Sequence, residues 1–244
     1  MITSTQGIVL RSVKYGETSL ISSIFTRTYG VQSYMVQGVR SARSRQHKAV
    51  MLQPASLIDM VIYQKPRGSL HRIREMHFAH VYARMQEEVT RNSIALFSAE
   101  LLLRLLPEHA PQPELFDFAK EYFVQLDTME AAAVANFPLY FLIQCTRHLG
   151  YAIGGSYSEE TPYLDLHDGA YSAHPPKEPP FIEREAAQAL SALIPLERYE
   201  NLAGVSMNAG MRFHLIEWYL AFLHRHTQHM SPVKSLQVLQ AVLH

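Results

Sequence analysis

Gly7-Ile8-Val9-Leu10-Arg11-Ser12-Val13 is a short β-branched run that stops at Tyr15-Gly16, and the segments after it repeat the plan. Leu20 to Thr28 is a second apolar run, closed by Tyr29-Gly30. Val31 to Val39 alternates in part, with Val31, Ser33 and Met35 on one face and Gln32, Tyr34 and Val36 on the other. Leu57 to Tyr63 is a fourth run, and Lys65-Pro66-Arg67-Gly68 supplies a turn. Leu70-His71-Arg72-Ile73-Arg74-Glu75-Met76 gives a fifth strand. Five short strands separated by turns predict a small closed barrel over residues 1–80.

From residue 81 onward the period changes to helical. His80 to Leu106 is expected as one long helix, broken by Pro107, Pro111 and Pro113. Leu115 to Leu126 puts Leu115, Phe118, Ala119, Tyr122 and Phe123 on one stripe. Ala131 to Leu149 is the most apolar helix, with Pro138 at a kink or near its start and Gly150 as its stop. Ile182 to Ile194 and Asn208 to Arg225 are two more, and a last one is expected to open at Ser231-Pro232. Residues 151–180 interrupt this pattern and are expected as a β-hairpin insertion around Tyr163-Leu164-Asp165-Leu166 and Ala170-Tyr171. The fold class is therefore α+β, with a barrel over 1–80 and a helical domain over 81–244.

The chain has 244 residues and 22 basic against 22 acidic side chains, a formal charge of zero that conceals a split. Residues 1–84 hold 12 Lys and Arg against Glu17, Asp59 and Glu75, or +9, so the remainder carries −9. A basic barrel attracts a polyanion, or the two halves neutralise each other. No apolar run approaches the roughly 20 residues of a membrane span, and the N-terminus has no secretory pattern. Cys145 is the single cysteine, which excludes an internal disulfide. A cytoplasmic location is expected.

Gly38-Val39-Arg40-Ser41-Ala42-Arg43-Ser44-Arg45-Gln46-His47-Lys48 is the sharpest constellation. Its cations Arg40, Arg43, Arg45 and Lys48 have no acid among them, and guanidinium forks suit phosphate oxygens. Arg11, Lys14, Arg72 and Arg74 on other strands extend the same candidate surface. Tyr15, Phe25, Tyr29, Tyr34 and Tyr63 are interleaved with these cations, and exposed members could stack on unpaired bases.

The ordered set Gly7-Ile8-Val9-Leu10, Tyr15-Gly16-Glu17-Thr18-Ser19, Ile24-Phe25-Thr26, Tyr29-Gly30, Gly38-Val39-Arg40, Arg43-Ser44 and Leu52-Gln53-Pro54 resembles the N-terminal domain of the RecO family of bacterial recombination mediators. The likeness continues at His148-Leu149-Gly150-Tyr151 and at Lys234-Ser235-Leu236. The resemblance implies an OB-fold barrel and a helical domain. It implies binding of single- and double-stranded DNA, strand annealing, and action with RecR to load RecA onto DNA coated with single-strand-binding protein (SSB). It points to Arg40 and Arg43 as DNA contacts, with no bond-breaking chemistry and no cofactor. Many family members carry a four-cysteine zinc module after the Leu-Gly-Tyr segment. Residues 154–176 here contain no cysteine, so the hairpin is expected to fold on Tyr157, Tyr163, Leu164, Leu166 and Tyr171.

Other readings are weaker. His148, His214, His224, His226 and His229 lack a companion carboxylate or thiolate cluster, so a His-rich helix end is favoured over a metal site. Asp165 and Asp168 beside Gly169 suit a hairpin turn. There is no Gly-x-Ser-x-Gly elbow and no Gly-Lys-Ser/Thr phosphate loop, which argues against hydrolase or nucleotidase chemistry. A protein–protein adaptor whose basic barrel meets an acidic partner is the alternative. An acidic SSB tail would need an apolar floor beside a cation, for which Arg91, Arg104, Lys120 and Arg147 are candidates.

Overall fold

The computed structural model describes residues 2–39, 45–64, 70–227 and 230–243, with the backbone alone for 45–47. It divides into two compact units, residues 1–127 and 128–244.

In the first unit, β1 (Ile2–Tyr15), β2 (Ser19–Thr26), β3 (Gly30–Val36), β4 (Leu57–Tyr63) and β5 (Leu70–Phe78) close into a barrel of order β1-β2-β3-β5-β4. Its pairs are antiparallel except β3 with β5, which run parallel from Ser33 to Met35. Helix α1 (Arg45–Met51) separates β3 from β4 along the chain. The expected five-stranded OB barrel is present. Val9, Ile24, Tyr34, Val36, Ile58, Met60, Ile62 and Met76 are buried in its core, with Val39, Met51 and Leu52 packed among them. At Gly7 an added Cβ would come within 2.5 Å of Ile24 Cγ2 and 3.0 Å of Met60 Cε, so no side chain fits there.

Ile8, Val9 and Leu10 are all buried, although a half-solvated strand should alternate. The cause is a second layer. Helix α2 (Val89–Leu105) packs on β1, and α3 (Pro113–Thr128) sets Phe116 edge-on to Phe25 at 5.4 Å. The β1–β2 register slips between Val9 and Arg11, leaving Leu10 as a bulge. The turn after α1 docks there: Val9 N donates to Ser56 O, Ala55 N to Val9 O, and Ser12 Oγ to Leu52 O. This gives the Leu52-Gln53-Pro54 motif its structural place. The Arg27 guanidinium grips Asp117 through two nitrogens, Lys120 Nζ donates to Gln6 Oε1, and His109 N donates to Val31 O. Gly30 has φ +67°, and a Cβ on it would overlap the Ala110 backbone.

The helix expected from His80 begins at Val89 instead. Residues 79–88 form a connector because Asp127, at the end of α3, takes their backbone donors. Ala83 N donates to Asp127 Oδ2 at 2.9 Å, and Arg84 N and Met85 N donate to Oδ1 at 2.8 and 2.6 Å. Glu88 accepts from Arg84 and from the buried Arg91, and Arg91 Nη1 also donates to Leu126 O. Tyr82 Oη donates to Ala55 O and ties the connector to the barrel. Burial pushes the Asp127 pKa up, but the three backbone N–H bonds and nearby His80 outweigh it and hold it below the ordinary value.

In the second unit, the helix expected over 131–149 is broken into α4 (Ala131–Val134) and α5 (Phe137–His148). Pro138 lies in the first turn of α5, where a missing N–H costs nothing. Asn136 at the break donates from Nδ2 to Leu202 O and Val205 O and accepts from Arg212 Nε. Its acceptors flank or lie in a 3-10 helix, Tyr199–Gly204, which the sequence did not suggest.

The expected hairpin is present, and a third strand extends it into a small sheet. β6 (Tyr163–Asp165) pairs with β7 (Ala170–Ser172) and also with β8 (Phe181–Glu183). Helix α6 (Arg184–Leu193) follows. Leu164, Leu166 and Ile182 are buried, Gly154 and Gly169–Tyr171 exchange backbone hydrogen bonds, and Tyr171 Oη donates to Ala187 O. A four-thiolate zinc site does not fit this segment, since the one cysteine lies buried in α5. Helix α7 (Ala209–His226) is capped by Asn208 Oδ1, which accepts from Met211 N, and its Tyr219 hydroxyl lies 2.9 Å from Thr146 Oγ1 of α5. The last helix, α8 (Leu236–Val242), starts after Ser235, not at Ser231-Pro232. Just before that stretch Met230 is buried and its carbonyl accepts from His224 Nδ1.

Candidate nucleic-acid interface

Lys48, Arg72 and Arg74 line one cleft of about 420 Å³ with Met35, Gln37, Glu75 and His77. Lys48 comes from the last turn of α1 and the two arginines from β5. A bulge then shapes the rest of the lining. The β4–β5 register pairs Val61 with Glu75 but Ile62 with Ile73, so Arg74 is the extra residue. Alternation is reset at that point, and Arg72, Arg74, Glu75 and His77 are all exposed while Met76 turns into the core. Arg74 Nε lies 3.1 Å from Glu75 Oε1, so part of its charge is met within the strand. Arg72 has no acidic partner among the described residues. Of the other lining residues, Gln37, Glu75 and His77 were not singled out in the sequence. Only the bulge brings Glu75 and His77 to the cationic side, and a single strand's pattern carries no sign of it.

Arg11 and Lys14 are exposed on the second half of β1, opposite Ser23 and Leu20 of β2, and do not line the cleft. Arg40 and Arg43 lie outside the described residues, and of Arg45 only the backbone, at the start of α1, is described. The aromatics separate clearly. Phe25 and Tyr34 are fully buried, Tyr29 is half-buried, and Tyr15 and Tyr63 are exposed.

The cations considered for an acidic tail also separate. Arg91 is buried against Glu88, Arg104 pairs with Glu100, and Lys120 reaches Gln6. Arg147 is exposed and lines an apolar pocket of about 250 Å³ with Ile143, Ala152, Ile153, Ile194, Pro195 and Tyr219. His224 and His226 are spent on the Met230 and Leu166 carbonyls, and no group of metal-ligating side chains is found among the described residues. Asp165 Oδ1 accepts from His167 N within the β6–β7 turn. Burial pushes the Cys145 thiol well up, so it is unreactive.

Comparison with known families matches residues 1–82 to "Recombination protein O N terminal" and residues 86–160 to "Recombination protein O C terminal". The DNA repair protein RecO of Bacteroides fragilis is 30% identical over 241 residues, covering 98% of each chain. The chain belongs to the RecO family. The DNA repair proteins RecO of Phocaeicola vulgatus, 29% identical over 240 residues, and of Flavobacterium psychrophilum, 26% over 243 residues, likewise cover 98% of both chains. RecO membership places the chain in DNA repair and recombination, and its barrel is the RecO OB-fold. No helix among the described residues is long and apolar enough to cross a membrane.

Proposed function

We propose that the chain is a non-enzymatic recombination mediator that holds single- and double-stranded DNA without sequence preference and anneals complementary strands. Acting with RecR, it assists RecA loading onto SSB-coated DNA. The observation that carries this reading is the cleft that gathers Lys48, Arg72 and Arg74 from separate chain segments on the OB barrel. Phosphates in that cleft meet fixed cations, so affinity comes largely from neutralised backbone charge and released counterions. Two strands neutralised on one surface repel each other less, which favours pairing. Arg40, Arg43 and Arg45, together with Arg11 and Lys14, extend the contact in this reading.

The SSB tail is assigned to the Arg147 pocket, where a guanidinium stands beside an apolar floor. That pairing suits a C-terminal peptide carrying acidic and apolar side chains. Strand annealing of complementary labelled oligonucleotides tests the first part: Lys48→Ala/Arg72→Ala should slow annealing severalfold, and an unchanged rate would remove the cleft from the mechanism. Titration of the full chain with an SSB-tail peptide tests the second. Arg147→Glu should abolish binding while leaving DNA affinity intact.

A further inference from the structure

The strand register lines up one row of outward side chains across four strands. Ile2 of β1 is opposite Tyr63 of β4, Tyr63 is opposite Arg72 of β5, and Arg72 is opposite Met35 of β3. Directly paired residues share a face, and at about 4.8 Å per strand the row is roughly 14 Å long. The rows on either side agree with this facing, because Ile62 on one side and Tyr34 and His71 on the other are buried. Ile2 is 53% exposed and Tyr63 is 43% exposed, while Arg72 also lines the cationic cleft. An aromatic ring therefore lies open to solvent between an aliphatic side chain and a guanidinium that no described acid occupies.

From this juxtaposition we propose that Tyr63 is the stacking surface for one unpaired base of a single strand, with Arg72 taking the adjoining phosphate. The proposal rests on the DNA-binding reading above and adds to it the means of telling single strands from duplex. An aromatic ring accepts any base face, so stacking brings no sequence preference. In a duplex the base faces are already covered, so Tyr63 gains nothing there, whereas the cations engage either form. Tyr15, the other exposed aromatic, does not share this setting: its partner across β2 is Ser19, and Lys14 beside it points to the opposite face.

The test uses the full chain with a single-stranded oligonucleotide carrying 2-aminopurine and with the matching duplex. Tyr63→Ala should weaken single-strand binding by roughly 5- to 100-fold and abolish the change in 2-aminopurine emission. Duplex affinity and the salt dependence of both should stay at wild-type values, and Tyr63→Phe should restore single-strand binding, since the ring and not the hydroxyl acts. Equal losses on both forms, no loss on either, or a Tyr63→Phe variant as weak as Tyr63→Ala would each overturn the stacking assignment while leaving the cationic cleft standing. Failure of the wild-type chain to bind either form would instead overturn the DNA reading, and this proposal with it.

Discussion

Replacing Asp127 with alanine removes one carboxylate that satisfies three backbone donors at once, at 2.6 to 2.9 Å. Ala83 is exposed and its N–H regains water, but Met85 is 3% exposed and its N–H does not. A stranded buried donor costs about 1–3 kcal/mol, and hydrogen bonds to a charged acceptor are worth about 1.5–3 kcal/mol each. Allowing for rehydration at Ala83, Asp127→Ala should cost about 3–5 kcal/mol. Asp127→Asn, which keeps one acceptor oxygen and loses the charge, should cost about 1–3 kcal/mol. Because the folded carboxyl titrates below its unfolded value, its contribution is complete above about pH 5 and fades as pH falls through the depressed pKa. Urea unfolding followed by circular dichroism measures the loss, and amide exchange over residues 79–90 locates it. A loss under about 1 kcal/mol for Asp127→Ala would mean that the carboxylate does not hold the connector's backbone. So would a gap between wild type and Asp127→Asn that fails to narrow between pH 5 and pH 2.

Three further outcomes follow from the packing. Gly30→Ala should destabilise the first unit by more than the ordinary 1 kcal/mol of a glycine replacement, because its Cβ meets the Ala110 backbone as well as a positive φ; thermal melts measure this. A fragment of residues 1–80 should aggregate where 1–127 stays monomeric in size-exclusion chromatography, since Phe25 loses its Phe116 cover and Arg27 its Asp117 partner. Cys145 should resist a thiol reagent at pH 8 in the native chain and react fully in urea, because it is completely buried with a raised pKa.

The barrel was legible because its strands are β-branched runs punctuated by Tyr-Gly pairs, and Gly30 does take the positive φ that such a stop requires. Helix α7, expected over Asn208 to Arg225, runs from Ala209 to His226, and the structure adds Asn208 as its cap. The start of α2 was not, since the helical period runs on through Arg84 and Glu88 while the residue that overrides it, Asp127, lies some forty positions away. Strand β8 was missed for the same reason: three residues carry little pattern, and its pairing to β6 is long-range. At the site, the residue types were readable and their grouping was not. Arg72 and Arg74 share a face by alternation and the bulge at Arg74 adds Glu75 and His77 to it, but only the fold sets Lys48 of α1 beside them and leaves Arg11 and Lys14 apart on β1.

If the cleft holds nucleic-acid backbone, single-strand affinity depends steeply on salt. Fluorescence anisotropy of a labelled oligonucleotide, titrated with the full chain across a salt series, should give a log–log slope of roughly −3.5 for about five contacted phosphates. Lys48→Ala/Arg72→Ala/Arg74→Ala should bind more weakly and with a slope shallower by about 2, at about 0.7 per lost phosphate. A wild-type slope retained by the triple variant, or no binding by the wild-type chain at low salt, would mean that the cleft does not hold the strand's phosphates.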